Sequence, residues 1–326
     1  MGQIPRRHFL MAAGGLALLS SSARAQRANK IARIGWLSTA GGSLSPVSLE
    51  SFRAGMSERG WTEGENLLIE TRIGAPANAG ELAAELLRSN VELIVAPGGM
   101  VFGARKVAGA TPLVFGINGD PVQAKLVASY SRPGGNLTGI TALSDVLSGK
   151  RLELLREAAP GATQFAALAN QGHPGVEVEF EATQAAAQRL GISVKWLPVY
   201  KVADFDAAFD AIARESAGAL VAIPDALMNN QAKAVAEFAV SRRIPTISGW
   251  AEFAEAGNFL SYGPSLRGWY RHLSVYADKL LRGAKPAELP VEQPTVFEFV
   301  VNLRTAKALG LKVPQSILLR ADRVIE

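Results

Sequence analysis

The chain has no cysteine in 326 residues. That absence excludes disulfides, thiolate metal sites, a cysteine nucleophile and a lipid-modified N-terminal cysteine. Histidine is nearly as scarce: there are three, and only His173 and His272 lie beyond the first 25 residues. They are too far apart in sequence for a metal-ligand motif and read as solvated side chains, a two-histidine metal site being the lesser alternative. No G-x-S-x-G nucleophile elbow and no G-x-x-x-x-G-K-[ST] phosphate loop occurs. Gly98, Gly99 and Gly103 do not have the spacing of a dinucleotide fingerprint. No cofactor is therefore expected. Long apolar runs are missing as well. The stretch MAAGGLALLS near the start belongs to a run of about a dozen residues, too short to span a bilayer.

What is present begins with an export signal. Arg6-Arg7-His8-Phe9-Leu10 leads into that soft apolar stretch, and Ala23-Arg24-Ala25 offers a small-residue cleavage site. The paired arginines resemble a twin-arginine signal, with Pro5 where that motif has Ser or Thr. Residues 1–25 are expected to be removed, leaving a periplasmic protein with no stable membrane insertion. Loss of Arg6, Arg7 and Arg24 takes the formal charge from +5 to +2. The high pI then says little about nucleic acid, and none is expected as a partner.

From Lys30 onward strands and helices alternate, the pattern of a doubly wound parallel sheet. The organising stretch is Thr111 to Thr141. An apolar strand at Leu113–Ile117 gives way to Asn118-Gly119, and Asp120-Pro121 has the form of a helix start. Pro133-Gly134-Gly135-Asn136 then turns the chain into a strand at Leu137–Thr141. After Thr141 the pattern restarts. The expectation is an α/β protein of two parallel-sheet lobes joined by a hinge. Lobe 1 would comprise residues 29–141 plus about 262–295, and lobe 2 residues 142–261 plus about 296–326, the Tyr262-Gly263-Pro264 breaker marking the return.

Ligands of such sheets sit at the carboxyl ends of strands. Polar loops at those ends supply the candidates. Ser38, Thr39 and the backbone amides of Gly98 and Gly99 suit a ligand carboxylate. Asp120 and Asp225 suit an ammonium or hydroxyl, although either could serve only as a helix cap. Asn170 opens the loop after the strand at Phe165–Ala169. Trp250 and Tyr262 could wall an apolar ligand or simply fill a core. Arg72 at a strand end is a further candidate. Asp120 with Asp225 is the one acid–base pair available to a rival reading, an exported hydrolase or isomerase.

Several segments, in order and spacing, resemble a known family. They are Phe52-Arg53-Ala54-Gly55 with Gly60-Trp61-Thr62-Glu63-Gly64, Gly119-Asp120-Pro121 with Arg132-Pro133-Gly134-Gly135-Asn136, and Ser148-Gly149-Lys150-Arg151. Ser261-Tyr262-Gly263, Leu289-Pro290-Val291-Glu292-Gln293-Pro294 and Ala306-Lys307-Ala308-Leu309-Gly310 complete the set. Together they resemble the periplasmic substrate-binding proteins of ABC transporters in the tryptophan-binding-like group, which have the type I periplasmic-binding-protein fold. The resemblance covers essentially the whole chain after the leader. It implies two lobes closing on a small-molecule ligand, such as an amino acid or related metabolite, without chemistry. It also implies a membrane permease and ATPase as partners; a sensory protein of the same fold, serving a receptor, is the alternative. Departures from the common forms fall at Pro97-Gly98-Gly99-Met100, Asn170-Gln171-Gly172-His173 and Gly249-Trp250-Ala251, where ligand choice would be made.

Overall fold

The computed structural model describes residues 31–39, 44–173 and 175–326. The expected leader and residues 40–43 of the first polar loop lie outside the described residues. In the first half, strands β1 (Ala32–Thr39), β2 (Leu67–Gly74), β3 (Leu93–Pro97), β4 (Leu113–Ile117) and β5 (Leu137–Thr141) are interleaved with helices α1 (Leu44–Ser57), α2 (Ala79–Arg88) and α3 (Met100–Ala104). The second half opens with α4 (Ser144–Ala158), β6 (Gln164–Asn170), α5 (Val176–Leu190), β7 (Ser193–Val199) and α6 (Phe205–Arg214). It continues with β8 (Ala219–Ala222), α7 (Ala226–Asn230), α8 (Ala232–Arg242), β9 (Thr246–Ser248), α9 (Ala251–Glu255) and β10 (Leu260–Pro264). The tail holds α10 (Leu266–Leu281), β11 (Phe297–Asn302), α11 (Leu303–Leu309), α12 (Gln315–Leu318) and β12 (Arg323–Ile325).

These strands form two sheets, one per lobe. The first has the order β2-β1-β3-β4-β5, all parallel. The second runs β12-β11-β10-β9-β8-β6-β7 and is parallel except where β10 meets β11. The order 2-1-3-4-5 is thus used twice. Parallel strands of this kind are covered on both faces, so their sequences must be apolar at consecutive positions. On β3, Leu93 and Val95 face a layer containing Phe52 of α1, while Ile94 and Ala96 face the layer built by α2 and α3. Each such buried Leu, Ile, Val or Phe side chain stabilises the fold by about 1.5–3 kcal/mol, and an alanine such as Ala96 by less.

Helix α10 follows a strand of the second lobe yet packs on the first. Its stripe Leu273, Tyr276, Ala277 and Leu280 joins Trp36, Phe52 and Met56 in one core. Ser265 starts it, its hydroxyl accepting from the Gly268 amide at 3.2 Å. The return crossing, expected near Tyr262, falls after Pro264. The last crossing is tied to the edge of the first sheet, where the Thr141 amide donates to the Glu292 carbonyl at 3.1 Å.

One expected element is not formed. Asp120-Pro121 starts a single turn and no helix. The Asp120 carboxylate accepts from the Val122 and Gln123 amides at 2.6 and 3.1 Å, and the Leu126 amide donates to the Pro121 carbonyl at 2.9 Å. Lys125 then adopts φ of 53°, which breaks the helical ladder. The cap is real, but what it caps is a turn.

β10 approaches the loop after β9 so closely that a Cβ on Gly263 would overlap the Gly249 carbonyl. Gly263→Ala should lower stability by about 1–3 kcal/mol through overpacking. Gly161→Ala is the comparison, because nothing lies within 4 Å of its added Cβ. Equal urea midpoints for the two variants would refute this packing.

Candidate functional site

Open parallel sheets bind ligands where the strand order reverses. In lobe 1 the reversal lies between β1 and β3, and in lobe 2 between β6 and β8. The loops at these points meet across a cavity of about 420 Å³. Ser38, Thr39, Gly98 and Gly99 line it from the first lobe; Asn170, Asp225 and Trp250 line it from the second. The Asn118 side-chain amide crosses from one lobe to the other and donates to the Pro224 carbonyl at 2.6 Å.

Asp225 is the anionic centre of this surface. Extended backbone at φ −154° makes it the N-cap of α7, and one carboxylate oxygen accepts from the Met228 amide at 2.8 Å. The other accepts from the Asn170 side chain at 2.5 Å. Burial pushes its carboxyl above the ordinary range, against the opposing influence of His173, Asn170 and the α7 amides. A buried carboxylate held by two donors on one side presents its remaining acceptor capacity to a cation.

The apolar wall comes mainly from α10. Leu266, Trp269 and Tyr270 lie on one helical face and line the cavity with Trp250. The Trp269 and Tyr270 rings meet edge to face with centroids 5.1 Å apart. The edge of the Trp269 ring can pack against β4 because Gly116 has no side chain there; an added Cβ would overlap the indole.

Asp120 and Tyr262 do not reach this cavity. Asp120 lines an adjoining groove of about 410 Å³ with Gln123, Gln171 and Glu177. Tyr262 packs against β11, its ring stacked on Phe297 at 6.1 Å and edge-on to Phe299 at 6.2 Å. The two aspartates therefore do not share the cavity as an acid–base pair would. Gly98 lines it, but its amide continues the sheet ladder and donates to the Gly116 carbonyl at 2.7 Å. Arg72 is occupied by Glu85 at 2.8 Å and is not among the lining residues.

His173 overturns its sequence reading as a solvated side chain. Its imidazole is only 8 % exposed and lies 3.6 Å from the Glu179 carboxylate, an ion-pair contact. Burial alone would push the imidazole down, but Glu179 beside it and the charge of Asp225 outweigh burial and hold it above its usual value. His173 lines both the cavity and the adjoining groove. The α10 aromatics were also missed. Leu266, Trp269, Tyr270 and Leu273 do form a helical stripe in the sequence, but a core helix shows the same signal.

Among the described residues, no group of three His, Asp or Glu is placed to hold a metal ion. None of their helices is long and apolar enough to cross a membrane. The arrangement suits capture of a small molecule between two walls, one polar with a buried carboxylate and one aromatic.

A curated relative, the tyrosine-binding protein of Clostridioides difficile (strain R20291), is 23 % identical over 270 residues, 81 % of this chain and 76 % of that protein. An ABC domain from Streptococcus pneumonia, solved in complex with L-Trp, superposes with a TM-score of 0.84 at 21 % identity, covering 91 % of this chain and all of the other. The ligand-free, open structure of a substrate binding protein with adhesive properties from Clostridium difficile gives 0.66 at 21 % identity, covering 90 % and 99 %. The fold is that of the type I periplasmic binding proteins. The sequence profile described as ABC transporter substrate binding protein matches residues 46–325, and the chain belongs to that family.

Proposed function

We propose that this protein is exported to the periplasm, traps an aromatic amino acid in its cleft and delivers it to the permease and ATPase of an ABC transporter. The observation that carries the ligand class is the pairing, in one cavity, of buried Asp225 with Trp250, Trp269 and Tyr270. Asp225 receives the ligand ammonium. Ser38, Thr39 and the Gly99 backbone face the carboxylate from the other lobe, and the aromatic wall takes the side chain. The names of the tyrosine-binding relative and the L-Trp complex support this choice. The Asn118 to Pro224 bond supports a cleft that closes by bringing the two lobes into contact.

A thermal-shift experiment tests the reading. L-tryptophan or L-tyrosine at a hundredfold excess over Kd should stabilise the protein by about 2.7 kcal/mol. N-acetyl-L-tryptophan, which lacks the ammonium, should have no effect. Silence toward every aromatic amino acid, or an equal response to the acetylated compound, would remove the proposed ligand class.

A further inference from the structure

Behind the cleft wall of the second lobe lies a cluster of buried charges that ligand capture as described does not use. Glu179 on α5 is fully buried, and among the described residues neither of its carboxylate oxygens has a hydrogen-bond partner. A buried carboxylate needs compensating charge. Two groups supply it: Arg151 of α4, 1 % exposed, and His173, whose ring nitrogen Nε2 lies 3.6 Å from Glu179. His173 lies against Glu179, lines the ligand cavity together with Asp225, and feels the charge of both carboxylates. Asp120 and Glu177 line the groove that His173 shares, and Asp145 of α4 acts on the cluster through Glu179.

We propose that His173 is a positioning residue that sets the charge of the ammonium seat, so that capture of the ligand expels a proton from its ring. The inference rests on Asp225 being that seat. When His173 is cationic, held by Glu179, it and the ligand ammonium compete for one buried carboxylate. When the ammonium binds, the imidazolium N–H bond breaks, the electron pair stays on the ring nitrogen, and the proton passes to solvent. A neutral imidazole remains, able to accept or donate one hydrogen bond beside the ligand.

The test has two arms. In the first, L-tryptophan binding is followed by calorimetry between about pH 6 and 8.5 in buffers of different ionisation heat. On the acid side of the His173 pKa, wild type should release up to about one proton per ligand and lose up to about tenfold in affinity per pH unit. His173→Gln should bind with a flat profile over the same range. Equal profiles for the two proteins, or no proton exchange in wild type, would overturn the proposal. The second arm needs no ligand. Imidazole titrations by NMR, with the His173 signal identified by its loss in His173→Gln, should show a lower His173 pKa in both Glu179→Gln and Asp225→Asn. An unshifted signal in Asp225→Asn would overturn the coupling even if L-tryptophan failed to bind. Failure of the ligand class and failure of this inference are thus read separately.

Discussion

Asp225→Asn is expected to weaken L-tryptophan binding by about 2–5 kcal/mol, the cost of removing one partner from a buried, hydrogen-bonded charge pair. The substitution leaves the rest of the site nearly intact. Asparagine is an equally good N-cap, so the bond to the Met228 amide survives, while the amide nitrogen that replaces the second oxygen costs the one bond donated by the Asn170 side chain. What disappears with that bond is the negative charge. Stability should respond in the opposite direction. Because burial raises the Asp225 carboxyl, the folded chain is favoured below the ordinary carboxylate range, and that advantage is lost as pH rises through the raised value. At neutral pH the variant should therefore be no less stable than wild type. Asp120→Asn is the internal control: it removes a charge outside the cavity and preserves a capping side chain, so affinity should not change. Calorimetry with one ligand on all three proteins decides the matter. Wild-type affinity in Asp225→Asn would remove the ammonium seat from the cleft.

The largest loss of stability is expected from Arg151→Met, about 3–5 kcal/mol, because it takes a buried cation away from the carbonyls it bonds and removes part of the charge that offsets buried Glu179. Arg151 is 1 % exposed, and burial lowers its pKa to about 10, so it stays cationic at neutral pH. Its Nε donates to the Tyr262 carbonyl at 2.9 Å, and one terminal nitrogen donates to the Ser144 carbonyl and hydroxyl at 3.2 and 3.0 Å. Ser144 follows the first crossing between lobes and Tyr262 precedes the second. One guanidinium therefore pins both hinge segments to the second lobe. Methionine fills much of the same volume but offers no donor to either carbonyl and no charge to Glu179. If compensation of Glu179 is a major part of the cost, Arg151→Met combined with Glu179→Gln should be less destabilised than the sum of the single changes. Urea unfolding of the four proteins measures the coupling. Strictly additive losses would show that the arginine acts through its carbonyl contacts alone.

The α/β alternation and the family were legible in the sequence because the physics behind them is local. Strands covered on both faces must read as consecutive apolar residues, as Leu93–Ala96 and Leu113–Ile117 do, and glycine and proline interrupt the chain where it turns. The loops at strand ends could be named for the same reason, which placed Ser38, Thr39, Asn170 and Asp225 among the candidates. Only the tertiary structure decided which of those side chains face a common space. Asp120 and Asp225 look alike in sequence, each capping the residues just after a strand. Asp225 follows a strand that flanks the reversal of order, whereas Asp120 lies two residues past Asn118, after the chain has turned outward. His173 stands in a loop, yet its ring is buried, with Glu179 carried back to 3.6 Å from it by the first turn of α5. Helix α10 is adjacent in sequence to the second lobe, yet its apolar stripe docks on the first, in the core of Trp36, Phe52 and Met56. Local preference determines elements and their ends; burial of complementary faces far apart in the chain determines which ends become a site.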